Sequence, residues 1–240
     1  MGSTRSTWRN NILSFYDGTT HERTAPFAPV VFTEEFLGTT LVAGATLWLA
    51  KDIHAEATEA NIADQHGGVF GIGVGATDAE QEAGLTMNDQ LNFNIDKGFI
   101  AEFVVAAHTI PTGLLEAYFG MANNYVKGRI AAADEGPTVH SFFKINATGT
   151  VSVYYDDTVH DGTFATGVTA LVADAYHVFR MDFTTSSAVL YYIDGVQVGT
   201  SYDMSQGTNV VLQPYFMCYK DSSTGVGDLY IDTVRVWSPR

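Results

Sequence analysis

The chain has 240 residues, 46% hydrophobic and 12% aromatic, which supplies a sizeable buried core and excludes a disordered protein. Its formal net charge is −15, from 12 basic and 27 acidic residues, which argues against a general grip on nucleic acid or an anionic membrane surface, since both need a basic face. The lone cysteine, Cys218, excludes an internal disulfide and with it a disulfide-built secreted domain.

Residues 1–29 are polar and end in Pro26 and Pro29, and they carry a few apolar anchors: Trp8, Ile12, Leu13, Phe15 and Tyr16. They are expected to form an extended N-terminal arm that docks on its own domain or on a neighbour, or else a floppy terminus, ahead of a single body spanning 30–240. The opening Met1-Gly2-Ser3-Thr4-Arg5 lacks the apolar run of a signal peptide, so the expectation is synthesis in a cytoplasm without secretion.

From Val30 onward, short apolar or alternating runs are punctuated by Gly, Asp, Asn and Thr. Strands are predicted at 31–37, 46–50, 69–74, 90–95, 99–108, 115–121, 139–145, 151–155, 176–184, 189–193, 196–199, 211–219 and 228–237. Many short strands with regular turn signals define an all-β sandwich or barrel. Period-two alternation puts His177, Phe179, Met181 and Phe183 on one face and Arg180 and Asp182 on the other. Asp194-Gly195 predicts a two-residue type I′ hairpin, because both residues tolerate positive φ. The stretches 53–64 and 76–84, rich in small and acidic residues, are read as short helices or loops. Gly71, Gly73 and Gly75 alternate without a following Lys-Ser/Thr, so they read as close packing in a strand and not as a phosphate loop.

Asp156, Asp157, His160 and Asp161 crowd into six positions after a strand. Loop carboxylates of this kind suit Ca²⁺, with Asp156, Asp157 and Asp161 as its ligands; an Asp-rich turn is the commoner explanation. The seven histidines are scattered, which gives a zinc site no support. No other cofactor is expected.

Two segments carry a family resemblance. His177, Phe179, Met181 and Phe183, followed by Tyr192, Asp194 and Gly195, match a strand of pattern H-x-[YF]-x-[IM]-x-[WF] leading to Y-x-D-G. The final run 229–237, LYIDTVRVW, is similar to the closing strand of the same group. Together they resemble the concanavalin A-like, laminarinase-like jelly roll, which implies a two-sheet β-sandwich. Glycosidase members of that family need an E-x-D-x-x-E or E-x-D-x-E strand with two acids at retaining distance. The strand in equivalent order, 113–121, holds one acid, Glu116, with Tyr118 and Met121 where further acids would stand. No catalytic residue is therefore assigned.

The whole layout is also similar to the concanavalin A-like decoration proteins of tailed-bacteriophage capsids, which have an anchoring arm and lack catalytic acids. That resemblance implies a non-enzymatic virion protein on the capsid surface. It would bind the major capsid protein through Trp8, Ile12, Leu13, Phe15 and Tyr16, and would form a homo-oligomer such as a trimer. The alternative is a carbohydrate-binding, lectin-like module or degenerate glycoside hydrolase, with Tyr118, Tyr154 and Tyr192 stacking on a glycan. A third reading, an active hydrolase, would pair Glu102 with Glu116 on adjacent strands.

Overall fold

A computed structural model describes residues 4–9, 12–17, 30–37, 47–53, 56–63, 67–88, 93–113, 115–128, 136–167, 171–205 and 210–238. In chain order the strands are β1 (Thr4–Arg9), β2 (Ile12–Asp17), β3 (Val30–Glu34), β4 (Leu49–Ile53), β5 (Thr58–Asn61), β6 (Phe70–Val74), β7 (Gln81–Thr86), β8 (Phe93–Asn94) and β9 (Ile100–Thr109). The second half adds β10 (Glu116–Ala122), β11 (His140–Ile145), β12 (Val151–Asp156), β13 (Asp161–Ala165), β14 (Tyr176–Asp182), β15 (Val189–Ile193), β16 (Val196–Tyr202), β17 (Val211–Lys220) and β18 (Gly227–Ser238). Among the described residues the only helices are two single 3₁₀ turns, Ile95–Lys97 and Ser186–Ala188.

The strands form two antiparallel eight-stranded sheets and one separate hairpin. The first sheet runs β13-β12-β11-β10-β17-β7-β4, with β8 also on β17. The second runs β16-β15-β14-β9-β18-β6-β5, with β3 also on β18. This is the jelly-roll sandwich that the sequence predicts. Alternation decides what each strand buries. In β10, Ala117, Phe119 and Met121 enter the core between the sheets, and in β14 Phe179 and Met181 do. Rings of the two sheets meet there: Phe119 lies 4.7 Å from Phe179, and Phe103 lies 5.7 Å from Phe216. Burying each of these rings contributes about 2–3 kcal/mol.

Turn chemistry follows the sequence. Asp194 (φ 51°) and Gly195 (φ 78°) both occupy the left-handed region that a type I′ hairpin between β15 and β16 demands. Gly73 is required by proximity, since a Cβ there would run into the Asp228 carboxylate of β18.

Four elements differ from expectation. The stretch 76–84, which local composition assigns to a helix or loop, feeds β7, and β7 is buried along its whole length between β17 and β4. Pairing on both sides outweighs the local acidic composition. The stretch 53–64 yields β5, an edge strand with alternating exposure. β13 adds an outer strand to the first sheet. The arm contains a β-hairpin, because β1 pairs with β2 in a sheet of their own; residues 18–29 lie outside the described residues.

At one rim, the Lys220 ammonium ties three backbone carbonyls together. It donates to Thr77 and Gly225, each at 2.9 Å, and to Gly75. Lys220 is fully buried, and desolvation pulls its pKa below the ordinary lysine value.

Candidate functional site

The family resemblance directs attention to β10 and the outer face of the first sheet. Glu116, Tyr118, Gly120 and Ala122 point there, opposite the core residues of the same strand. Register then lays out rows across the sheet. Glu82, Tyr219 and Glu116 stand side by side on β7, β17 and β10. Tyr118 lies between Met217 and Lys144, and Gly120 between Tyr215 and Phe142.

The two acids of this face have different surroundings. Glu116 Oε1 accepts from Lys144 Nζ at 2.8 Å, and Tyr118 donates its hydroxyl to Oε2. Lys144 also sits over the rings of Tyr118 and Tyr154, at 5.3 and 4.5 Å. Such a carboxylate is committed to an ion pair and is poorly placed to act as a nucleophile. Glu82 is held by neutral donors instead. It accepts from Tyr125 hydroxyl and, at 2.9 Å, from the Gly128 amide. Burial pushes its pKa up to about 7. Two strand spacings separate its backbone from that of Glu116, about 10 Å, and Tyr219 fills the gap between them. A retaining glycosidase needs its carboxyl groups about 5–5.5 Å apart.

The segment 123–128, directly after β10, folds back over this face. Tyr125 stacks on Tyr215 at 6.3 Å, Tyr215 donates to the Val126 carbonyl at 3.2 Å, and Lys127 pairs with Glu80 at 3.6 Å. Lys51 sits 5.1 Å above the Tyr125 ring. Tyr118, Phe142, Tyr215 and Met217 are fully buried as a second apolar cluster outside the main core. His140 closes the row, stacked on Phe142 at 4.7 Å and donating Nδ1–H to the Pro137 carbonyl at 2.8 Å. Burial lowers its pKa to about 4, so it is neutral near pH 7.

The outer face of the second sheet is built differently. There Tyr192, Arg180, Glu102 and Arg235 are direct cross-strand neighbours on β15, β14, β9 and β18. Arg180 donates to Asp182 at 2.8 Å and lies 5.0 Å over the Tyr192 ring. A cavity of about 330 Å³ opens on this row, with Val104 and Val178 in its lining.

These positions re-sort the residues singled out in the sequence. Tyr118 and Tyr154 belong to the first sheet and Tyr192 to the second, so the three do not form one glycan platform. Tyr118 is also fully buried. Glu102 and Glu116 are not on adjacent strands of one sheet, because β9 and β10 lie in different sheets. Asp156 and Asp161 face each other across β12 and β13, whereas Asp157 gathers with His160 and Asp203, their ligating atoms within 4.8 Å. Among the described residues, the ligating atoms that gather are those of Asp157, His160 and Asp203, and Asp156 and Asp161 are not of that group. Asp157 already accepts from the amides of Val159 (3.0 Å) and His160 (2.6 Å). A donor set including imidazole fits a transition metal better than Ca²⁺. Trp8, Ile12, Leu13, Phe15 and Tyr16 all fall on the β1–β2 hairpin, where Trp8 pairs with Leu13, Arg9 with Ile12, Ser6 with Phe15 and Arg5 with Tyr16; their side chains lie outside the described residues. Sequence reading misses Glu82, Tyr125, Lys144 and Tyr219. Lys144 leaves a signal, a lysine directly after Phe142 and Phe143 and before Ile145 in the strand 139–145.

No family model matches this chain, and no curated protein does. Solved structures do match in fold. The carbohydrate recognition domain of Emp47p is 9% identical, with a TM-score of 0.57 over 86% of this chain and 94% of that one. A mixed-linkage-glucan GH16 enzyme of Bacteroides ovatus, solved with a G4G4G3G product, is 14% identical, with a TM-score of 0.56 over 85% and 99%. The Emp46p carbohydrate recognition domain in its potassium-bound form is 9% identical, with a TM-score of 0.53 over 81% and 89%. The chain therefore has the concanavalin A-like, laminarinase-like jelly-roll fold. At these identities the likeness concerns the fold alone.

Proposed function

We propose that this chain is a non-enzymatic structural protein of a virus particle, a decoration protein of the tailed-bacteriophage kind that attaches to the major capsid protein. The observation that carries this reading is the filled outer face of the β10 sheet. Where a glycosidase of this fold would need an open cleft with paired acids, this chain has a buried aromatic cluster, a lysine-paired Glu116 and the covering segment 123–128. The hairpin β1–β2, a sheet separate from the body, suits an attachment arm. The net charge of −15 suits a body that faces solvent and keeps particles apart. Copies grouped about a capsid symmetry axis would make the chain a homo-oligomer, a trimer being the simplest case.

The test is attachment. Purified chain is mixed with capsids of the virus that carries its gene, and the particles are banded by density. Stoichiometric co-banding, abolished by deletion of residues 1–29 while the body stays folded, is the expected result. A chain that stays in the supernatant under all conditions sinks the proposal.

A second reading, a glycan-binding module, is supported by the carbohydrate recognition domains among the similar structures and by the cavity beside Tyr192.

A further inference from the structure

The row on the second sheet contains polar groups that the protein does not satisfy. Glu102 is only 4% exposed, yet among the described residues its Oε2 has no hydrogen-bond partner. Its Oε1 lies 3.7 Å from Arg235 Nη1, close enough for charge attraction and too far for a hydrogen bond. Buried carboxylate oxygens are nearly always bonded, and Glu102 is part of the cavity lining, so its carboxylate brings unmet acceptor capacity to the site. The Arg235 side chain is 40% exposed and remains accessible from that cavity. Arg180, by contrast, is held by Asp182 and by the Tyr192 ring.

Glu102 and Arg235 together define the chemistry of the ligand. An ammonium group would serve Glu102 and be repelled by Arg235. A phosphate or carboxylate would serve Arg235 and be repelled by Glu102. A hydroxyl both donates and accepts, so two neighbouring hydroxyls satisfy both groups without bringing a net charge into a buried site. Val104 and Val178 offer an apolar floor for the C–H face of a ring, and Tyr192 forms a wall. A cavity of about 330 Å³ is at the small end of ligand pockets and suits a sugar unit.

We propose that this pocket on the outer face of the second sheet binds a neutral saccharide unit, with Glu102 and Arg235 gripping vicinal hydroxyls. The assignment deepens the glycan-binding reading and rests on it, and it is independent of capsid attachment. It places the sugar on the sheet opposite the filled β10 face.

The full chain, labelled with ¹⁵N, is titrated with methyl α-mannopyranoside, methyl β-glucopyranoside, methyl β-galactopyranoside and glycerol, while a glycan array is run in parallel. At least one glycoside is expected to shift amides at 102–104, 178–180 and 192–195, with glycerol at least about tenfold weaker. Glu102→Gln and Arg235→Met should each weaken that glycoside by about tenfold or more, since each removes a charge-assisted hydrogen bond. Both spectra should stay dispersed, and Arg235, being partly exposed, gives an answer even if the Glu102 variant unfolds. Glycerol binding as tightly as the glycosides would overturn the saccharide assignment. Array binding unchanged by both substitutions would overturn this pocket and leave the glycan-binding reading intact. No shift with any probe, together with an empty array, would overturn both.

Discussion

On the outer face of the β10 sheet, Tyr118, Phe142, Tyr215 and Met217 are buried beneath segment 123–128, Glu116 is paired with Lys144, and burial raises the pKa of Glu82. On the outer face of the β9 sheet, the corresponding central row is Tyr192, Arg180, Glu102 and Arg235, beside an open cavity. Both faces arise from the same period-two alternation. The difference lies in the connecting segments. A loop after β10 brings its own aromatic ring and amide to the sheet, which turns a solvent face into a second core. Among the described residues no such cover reaches Arg235, which keeps its guanidinium accessible. A jelly-roll sheet thus becomes a covered wall or an open face according to its connecting loops more than its strands.

Four measurements would break or sharpen this contrast. The largest effect is expected from Phe142→Ala, which removes a fully buried ring from the covered face and should destabilise the fold by about 3–5 kcal/mol in urea unfolding. A loss below about 1 kcal/mol would mean that the second cluster is not packed. Second, Lys220→Met removes a buried donor from the Gly75 and Gly225 carbonyls, and from that of Thr77, which keeps the Ala79 amide, and should cost about 2–4 kcal/mol.

The third measurement is pH dependence. Glu82 has a folded pKa of about 7, above its ordinary 4.5, so the folded state holds a proton that the unfolded chain releases. Its contribution is therefore full below pH 4.5 and lost as pH rises to 7. His140 works in the opposite sense. With a folded value of about 4 against 6.5, its contribution is present above 6.5 and lost as pH falls to 4. Each shift corresponds to roughly 3 kcal/mol at most, so the two nearly cancel between pH 4.5 and 6.5. Glu82→Gln should expose the His140 limb, giving stability that climbs across that interval where the parent is flat. Equal slopes for both proteins would show that Glu82 ionises normally. The smallest effect is expected from Tyr192→Ala on the open face, below about 1 kcal/mol in the same urea experiment, since that ring is only partly buried.

Much of the fold is legible in the sequence, for identifiable reasons. The strand pair 176–193 carries the alternating set His177, Phe179, Met181 and Phe183 and ends in Asp194-Gly195, so local chemistry reveals it. β7 is not legible, because Gln81 and Glu82 look solvent-bound until β17 and β4 are known to flank them. Alternation offers Tyr118 two places, core or sugar platform, and the structure gives a third case, an outward ring covered from outside. Loop-to-face contacts of that kind depend on long-range geometry that no local pattern encodes. In the Asp156–Asp161 run, Asp157 and His160 gather with Asp203, a residue far along the chain that no local pattern brings in.

At the rim held by Lys220, the loops after β6 and before β18 converge on a positive centre that is covalently part of β17. Many proteins fill such a ring of carbonyls with a free ion, whose occupancy falls on dilution or chelation. A tethered ammonium has no dissociation equilibrium, so this rim should hold its shape in EDTA, in sodium or potassium buffers alike, and at any protein concentration.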